Sequence, residues 1–157
     1  MKLLLCILFS IITQSFSEVR EQYYAASKTR QDAEKFYTSM SKYDKDNKTL
    51  LAYKGAALAL KSKFTSDKKA KKALFTEGVT LLENMVKSDG NNAEIRLIRL
   101  SIQENTPKFL KYKDNIEEDK KVILSSFDKQ SKELKEYIRK YISQSKVFTQ
   151  ADKQKIK

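Results

Sequence analysis

A chain of 157 residues with 32 Lys and Arg against 20 Asp and Glu carries a formal charge of +12, and it contains no His, one Cys, three Gly and one Pro. Without His, and with Cys6 as its only thiol, it lacks the usual general base near neutral pH, Cys/His nucleophilic pairs and the ordinary zinc ligand sets. Three glycines leave no phosphate-cradling loop and few tight hairpins, so the composition points to a helical protein with no catalytic centre, metal or cofactor.

The chain opens with the three parts of a secretion signal: a basic start at Lys2, an apolar run over residues 3–12, and small residues at Ser15 and Ser17. Cleavage is expected after Ser17, which places the mature protein outside the cytoplasm, in a periplasm or the medium. The apolar run is too short to cross a bilayer, and no later segment is apolar enough to do so. Cys6 lies inside that run rather than at its end, so a lipid anchor is not favoured. Lys2 is the only charged residue ahead of Glu18, so the remaining 140 residues keep a charge of +11. That length suits one domain, expected over 18–145, followed by a polar, lysine-rich tail at 146–157.

Residues 18–26 read as a short helix with Val19, Tyr23 and Ala26 on one stripe, and 28–42 as a second with Ala33, Phe36, Tyr37 and Met40 inward. Asn47 caps a third helix, 48–64, whose small and apolar residues cover more than half its circumference; it should be central. A fourth runs from Asp67 to about 87, with Ala70, Ala73, Leu74, Leu81, Leu82, Met85 and Val86 as its expected buried set. Gly55 and Gly78 fall at similar heights if these two helices form a hairpin, permitting close backbone approach; the alternative is two tolerated glycines with no special contact. Asn91 with Glu94 has the spacing of a capping box for a fifth helix to about 104, and Asp114 with Glu117 the same for a sixth to about 127. Thr106 and Pro107 separate the two. A last helix, about 129–143, carries Leu134, Tyr137, Ile138, Tyr141 and Ile142.

Amphipathic helices of this length joined by short polar turns resemble the helical hairpins of tetratricopeptide-like repeat proteins, and Leu51, Ala52, Tyr53, Gly55, Ala56 and Ala57 resemble the first helix of such a repeat. The likeness is architectural, since the two helix-opening asparagines, Asn47 and Asn91, stand 44 apart, longer than that repeat. A second resemblance, over residues 45–127, is to a group of exported bacterial helical proteins without an assigned activity. It rests on Glu94, Arg96 and Arg99, on Pro107, Phe109 and Leu110, and on Asp119 with Lys120. Together these imply an all-α fold of about six to seven helices stacked as antiparallel hairpins, and the first implies binding of a protein or peptide.

One polar constellation stands out. On the fifth helix, Ile95, Ile98 and Ile102 form one apolar face and Leu97 with Leu100 another, so Arg96 and Arg99 lie between two greasy surfaces. Asp119 shares the inward face of the sixth helix with Ile116, Ile123 and Phe127. Arg96 and Arg99 should pair with Asp119, with Glu94 and Tyr112 as further partners; alternatively the arginines form an anion-binding concavity. Lys68, Lys69, Lys71 and Lys72 make a basic cluster at the start of the fourth helix, where the helix dipole disfavours cations, and a solvated or anion-facing surface is expected there. Only five of the cations are Arg, which argues against specific nucleic-acid recognition. The functional expectation is a protein- or peptide-binding module, with electrostatic binding of an anionic polymer or membrane as the alternative.

Overall fold

The computed structural model describes residues 15–156, and every regular element among them is helical. The order is α1 (Phe16–Ala26), α2 (Arg30–Ser41), α3 (Lys48–Phe64), α4 (Lys68–Ser88), α5 (Ala93–Asn105), α6 (Ile116–Ser126), α7 (Lys132–Gln144) and α8 (Gln150–Gln154), with single 3-10 turns at Lys108–Leu110 and Phe127–Lys129. The expected secretion signal lies almost wholly outside the described residues.

Side-chain caps set most helix starts. Asn47 Oδ1 accepts from Leu50 N, and Asp67 Oδ1 accepts from Ala70 N. At α5 the cap is Asn92, one residue later than expected: its Oδ1 accepts from Glu94 and Ile95 N, while its Nδ2 donates to Asp89 and Thr49. Those extra bonds fix Asn92 rather than Asn91, and they free the Glu94 carboxylate for other partners. The Asp114 and Glu117 box does not form either. α6 starts after Asn115, which makes no side-chain cap and whose Oδ1 accepts from Gln103 Nε2 at 3.2 Å. α1 begins at Phe16, two residues ahead of expectation, with a capping box between Ser15 and Glu18.

From α1 to α6 successive helices pack as antiparallel hairpins, and the most extensive contact is α3 against α4. The glycines explain it. A Cβ at Gly78 would stand 2.5 Å from Gly55 O and 2.8 Å from Ala59 N, and one at Gly55 would stand 2.7 Å from Gly78 O. The backbones touch there, and only glycine at both positions allows it.

Two hydrophobic cores share α5. Ile95, Ile98 and Ile102 join Val19, Tyr23, Ala33, Phe36, Met40, Tyr53, Leu82 and Val86 on one side. On the other, Leu97 and Leu100 join Ile123, Phe127, Leu134, Ile138 and Ile142. The double-faced pattern of α5 therefore has the meaning its wheel implied: every residue from Ala93 to Gln103 is buried. By contrast, α4 packs on one side only. Leu82 and Val86 are buried, Leu74, Leu81 and Met85 are half-buried, and Ala70 and Ala73 face solvent against expectation. At 1.5 Å per residue α4 is about 30 Å long and α5 about 20 Å, so α5 is too short to cover all of α4, and Ala70 and Ala73 in its first turns stay exposed.

The tail also departs from expectation. Val147, Phe148 and Ile156 pack into the second core, and Arg139 Nε donates to Ile156 O at 2.7 Å. Three apolar residues spaced along a lysine-rich stretch dock it; composition alone hid them.

Candidate functional site

Arg96 and Arg99 point from α5 toward the first turn of α6, where Glu117, Glu118 and Asp119 collect at the positive end of the helix dipole. Asp119 is fully buried and holds both guanidiniums. Arg99 grips it with two hydrogen bonds, Nε to Oδ2 at 2.9 Å and Nη2 to Oδ1 at 2.6 Å, and Arg96 Nη1 reaches Oδ1 at 2.9 Å. Arg96 Nη1 also meets Glu118 at 2.7 Å, and its Nε donates to Gly90 O at 2.7 Å. Arg99 Nη1 donates to Glu83 on α4 at 2.8 Å, whose other oxygen accepts from Tyr112 at 2.6 Å. One cluster thus ties α4, α5, α6 and the 106–115 loop together.

Its electrostatics are those of a closed network. Burial alone would lower the Arg99 pKa, but Asp119 and Glu83 outweigh it and leave the guanidinium more firmly charged than usual. The Arg96 hydrogen bond holds Glu118 below the usual carboxylate range. Burial first, then Glu83, pushes the Tyr112 hydroxyl far up. Two guanidiniums face three carboxylates, so the cluster carries a net charge of about −1 and offers an incoming anion no attraction.

Four of the five residues expected together meet here: Arg96, Arg99, Tyr112 and Asp119. Glu94 does not. It sits in the first turn of α5 on the opposite face, where Arg20 of α1 grips it at 2.8 Å through both Nε and Nη2 and Tyr53 donates to it at 2.8 Å. The 200° between Glu94 and Arg96 on a helical wheel makes that separation inevitable. Glu83 was missed, although it lies four residues after Val79 and three before Val86, the same spacing that singled out Asp119. Arg20 was missed because its partner belongs to a helix 74 residues away.

Beside the Arg20 and Glu94 pair, a cleft of about 250 Å³ is lined by Phe16, Thr49, Asn91, Asn92 and Gln130 among others. The tyrosines nearby are structural. Tyr23 shares a hydrogen bond with Ser101 and packs edge-on against Tyr53, and Tyr141 donates to Glu104. Burial raises Tyr137 to about 12 despite the lowering influence of its hydrogen bond with Tyr53. Through Tyr23 and Tyr141, α1 and α7 are tied to α5, while Tyr137 ties α7 to Tyr53 of α3.

The lysines tell a different story. Lys68, Lys69, Lys71 and Lys72 are all exposed on the overhanging start of α4. Tyr112 packs edge-on against Phe75 at 6.0 Å, and Lys71 and Lys72 stand one helical turn before Phe75, so the 106–113 loop shares this end of the molecule. That loop adds the exposed Lys108 and Lys111, and at its tip Phe109 is 78% exposed and Leu110 41% exposed. Lys63 Nζ donates to Ser27 O at the same end, where α2 begins and α3 finishes.

Among the described residues no group of His, Cys, Asp and Glu could hold a metal ion, and no helix is long and apolar enough to cross a membrane. The chain matches no protein-family model, no curated protein and no solved structure.

Proposed function

We propose that this chain is an exported, non-catalytic interaction module that docks an anionic partner onto the lysine-rich end formed by the start of α4 and the 106–113 loop. One observation carries the reading: Lys68, Lys69, Lys71, Lys72, Lys108 and Lys111 are exposed together, while the only carboxylate among residues 67–76 and 105–113, Asp67, is engaged as a helix cap. With no His and no thiol beyond Cys6, the sequence supplies no side chain whose ordinary pKa lies near neutrality, which supports a binding rather than a catalytic role.

A peptide gripped by stacked hairpins is the second reading, supported by the antiparallel packing of α1 to α6 and the tetratricopeptide-like likeness of α3. It is the weaker of the two, because α1 and α7 lie over α5 where a groove would be. Salt separates them. Binding to heparin, a soluble polyanion, is expected to weaken on the order of a hundredfold between about 50 and about 200 mM salt, the loss that four released counterions imply. The variant K68Q/K69Q/K71Q/K72Q should remove most of that slope. Heparin binding that ignores salt and this variant would overturn the reading.

Export rests on the features of residues 1–17, and intact-mass analysis of protein from the cell envelope or medium is expected to show a chain starting at Glu18. Such a cut removes the Ser15 cap of α1, worth about 1 kcal/mol, but spares Val19, Tyr23 and Ala26, which face the core. Protein recovered with Met1 attached would contradict it.

A further inference from the structure

We propose that the tip of the 106–113 loop is a membrane-interface anchor: Phe109 and Leu110 enter the acyl boundary of an anionic phospholipid bilayer while the surrounding lysines bind its headgroups. The proposal rests on the reading of this end as an anionic docking surface and goes further by naming a bilayer and the residues that enter it. Globular proteins rarely leave a large aromatic and an aliphatic side chain side by side on a projecting turn, and Phe109 is the most exposed large hydrophobic residue among those described.

The turn is built to present them. Pro107 leads into the 3-10 turn Lys108–Leu110, and Lys111 closes it at φ 50°, a left-handed conformation that non-glycine residues rarely adopt. Both flanks are anchored. Thr106 Oγ1 donates to Ile102 O, Tyr112 is held by Glu83 and Phe75, and Lys113 Nζ donates to Glu104 O. The five exposed residues 107–111 are therefore carried on a fixed base rather than on a slack loop.

The charge pattern selects the occupant. From Asn105 to Lys113 there are three lysines and no carboxylate, and Lys68, Lys69, Lys71 and Lys72 flank the same end. An exposed apolar pair held between Lys108 and Lys111, at the end of the molecule that also carries the α4 lysines, matches a surface in which an apolar layer lies beneath anionic headgroups. A folded protein partner would instead need a broad complementary area of roughly 800 Å² on this side, and a two-residue point is too small to supply its apolar centre.

Full-length mature protein should be titrated with phosphatidylglycerol/phosphatidylcholine vesicles, with pure phosphatidylcholine vesicles and with heparin. The native protein should bind the anionic vesicles and heparin but not pure phosphatidylcholine. F109S/L110S should lose about tenfold or more for anionic vesicles and nothing for heparin, since it removes apolar contact alone. K68Q/K69Q/K71Q/K72Q should lose both. Because the chain has no Trp, F109W supplies a single reporter whose emission should shift to the blue on vesicle binding. Unchanged vesicle affinity of F109S/L110S, heparin binding without vesicle binding, or an unshifted F109W spectrum each overturns the anchor and leaves the docking reading standing. Failure of the native protein to bind either heparin or anionic vesicles overturns both.

Discussion

Where α5 meets α6 and α4, two arginines meet three carboxylates, and Asp119 is sealed from solvent between them. At the start of α4 and on the 106–113 loop, six lysines stand exposed beside one aspartate already used as a cap. The two regions are joined by Tyr112, which touches Glu83 in the first and Phe75 in the second. The contrast follows from the chemistry of the side chains. A planar guanidinium can grip a carboxylate bidentately and survive burial; a flexible, strongly hydrated ammonium is cheaper to leave in water. Arg20, Arg96 and Arg99 are used inside, so the charge left for a partner is almost entirely lysine.

That division can be broken by substitution. The largest effect belongs to Asp119→Asn, which leaves two guanidiniums short of their shared partner. A loss of about 3 kcal/mol is expected, seen as a lower urea midpoint with an unchanged slope. Next comes Gly78→Ala. An exposed helical glycine would gain about 1 kcal/mol from alanine, but here the new methyl meets backbone on the facing helix, so a net loss of about 2 kcal/mol is expected in the same assay. A gain would mean that α3 and α4 do not touch.

Stability against pH sharpens the comparison. Tyr23, Tyr112, Tyr137 and Tyr141 have folded pKa values raised above 10, chiefly by burial, with Tyr137 at about 12. Above pH 10 the unfolded chain releases phenolic protons that the folded chain keeps, so their stabilisation is complete below pH 10 and disappears as pH rises toward and past 12. With no His, stability should be nearly flat from about pH 6 to about pH 9. On the acid side Glu118 works in the opposite sense. Its folded pKa is depressed by Arg96, so its small contribution is present above its unfolded value and is lost as pH falls through the folded one; with the side chain 54% exposed the loss should be slight. The smallest effect is the quadruple substitution K68Q/K69Q/K71Q/K72Q, expected to change the urea midpoint by less than about 0.5 kcal/mol in stability while removing polyanion binding.

The all-helical class, the hairpin order, the inward stripe of α1 and, apart from the half-buried Tyr37, that of α2 were legible from residue spacing, because a 3.6-residue period depends on the helix alone. So were the pairing of Arg96 and Arg99 with Asp119 and the approach of Gly55 to Gly78, each fixed by position on two neighbouring helices. Partnerships set by several helices at once were not. Glu94 turned to Arg20 and Tyr53 because α1 and α3 converge on that face of α5. The α6 box did not form because α6 starts after Asn115 rather than Asp114, and the Asn115 Oδ1 that could cap it accepts from Gln103 instead. Ala70 and Ala73 read as core because a helix wheel cannot show that the neighbouring helix has ended, and Phe148 and Ile156 read as tail because lysines outnumber them.

The most direct test of the closed arginine network is a double-mutant cycle between Arg99→Met and Asp119→Leu, followed by urea unfolding. Each single change leaves a buried charge short of one partner, since Asp119 keeps only Arg96 or Arg99 keeps only its glutamates, whereas the double change removes both members of the pair. The account predicts a double variant more stable than the sum of the single losses by about 2 kcal/mol or more. Additive losses, or single variants as stable as the native protein, would show that these charges are not each other's partners and would return the arginines to the role of a ligand site.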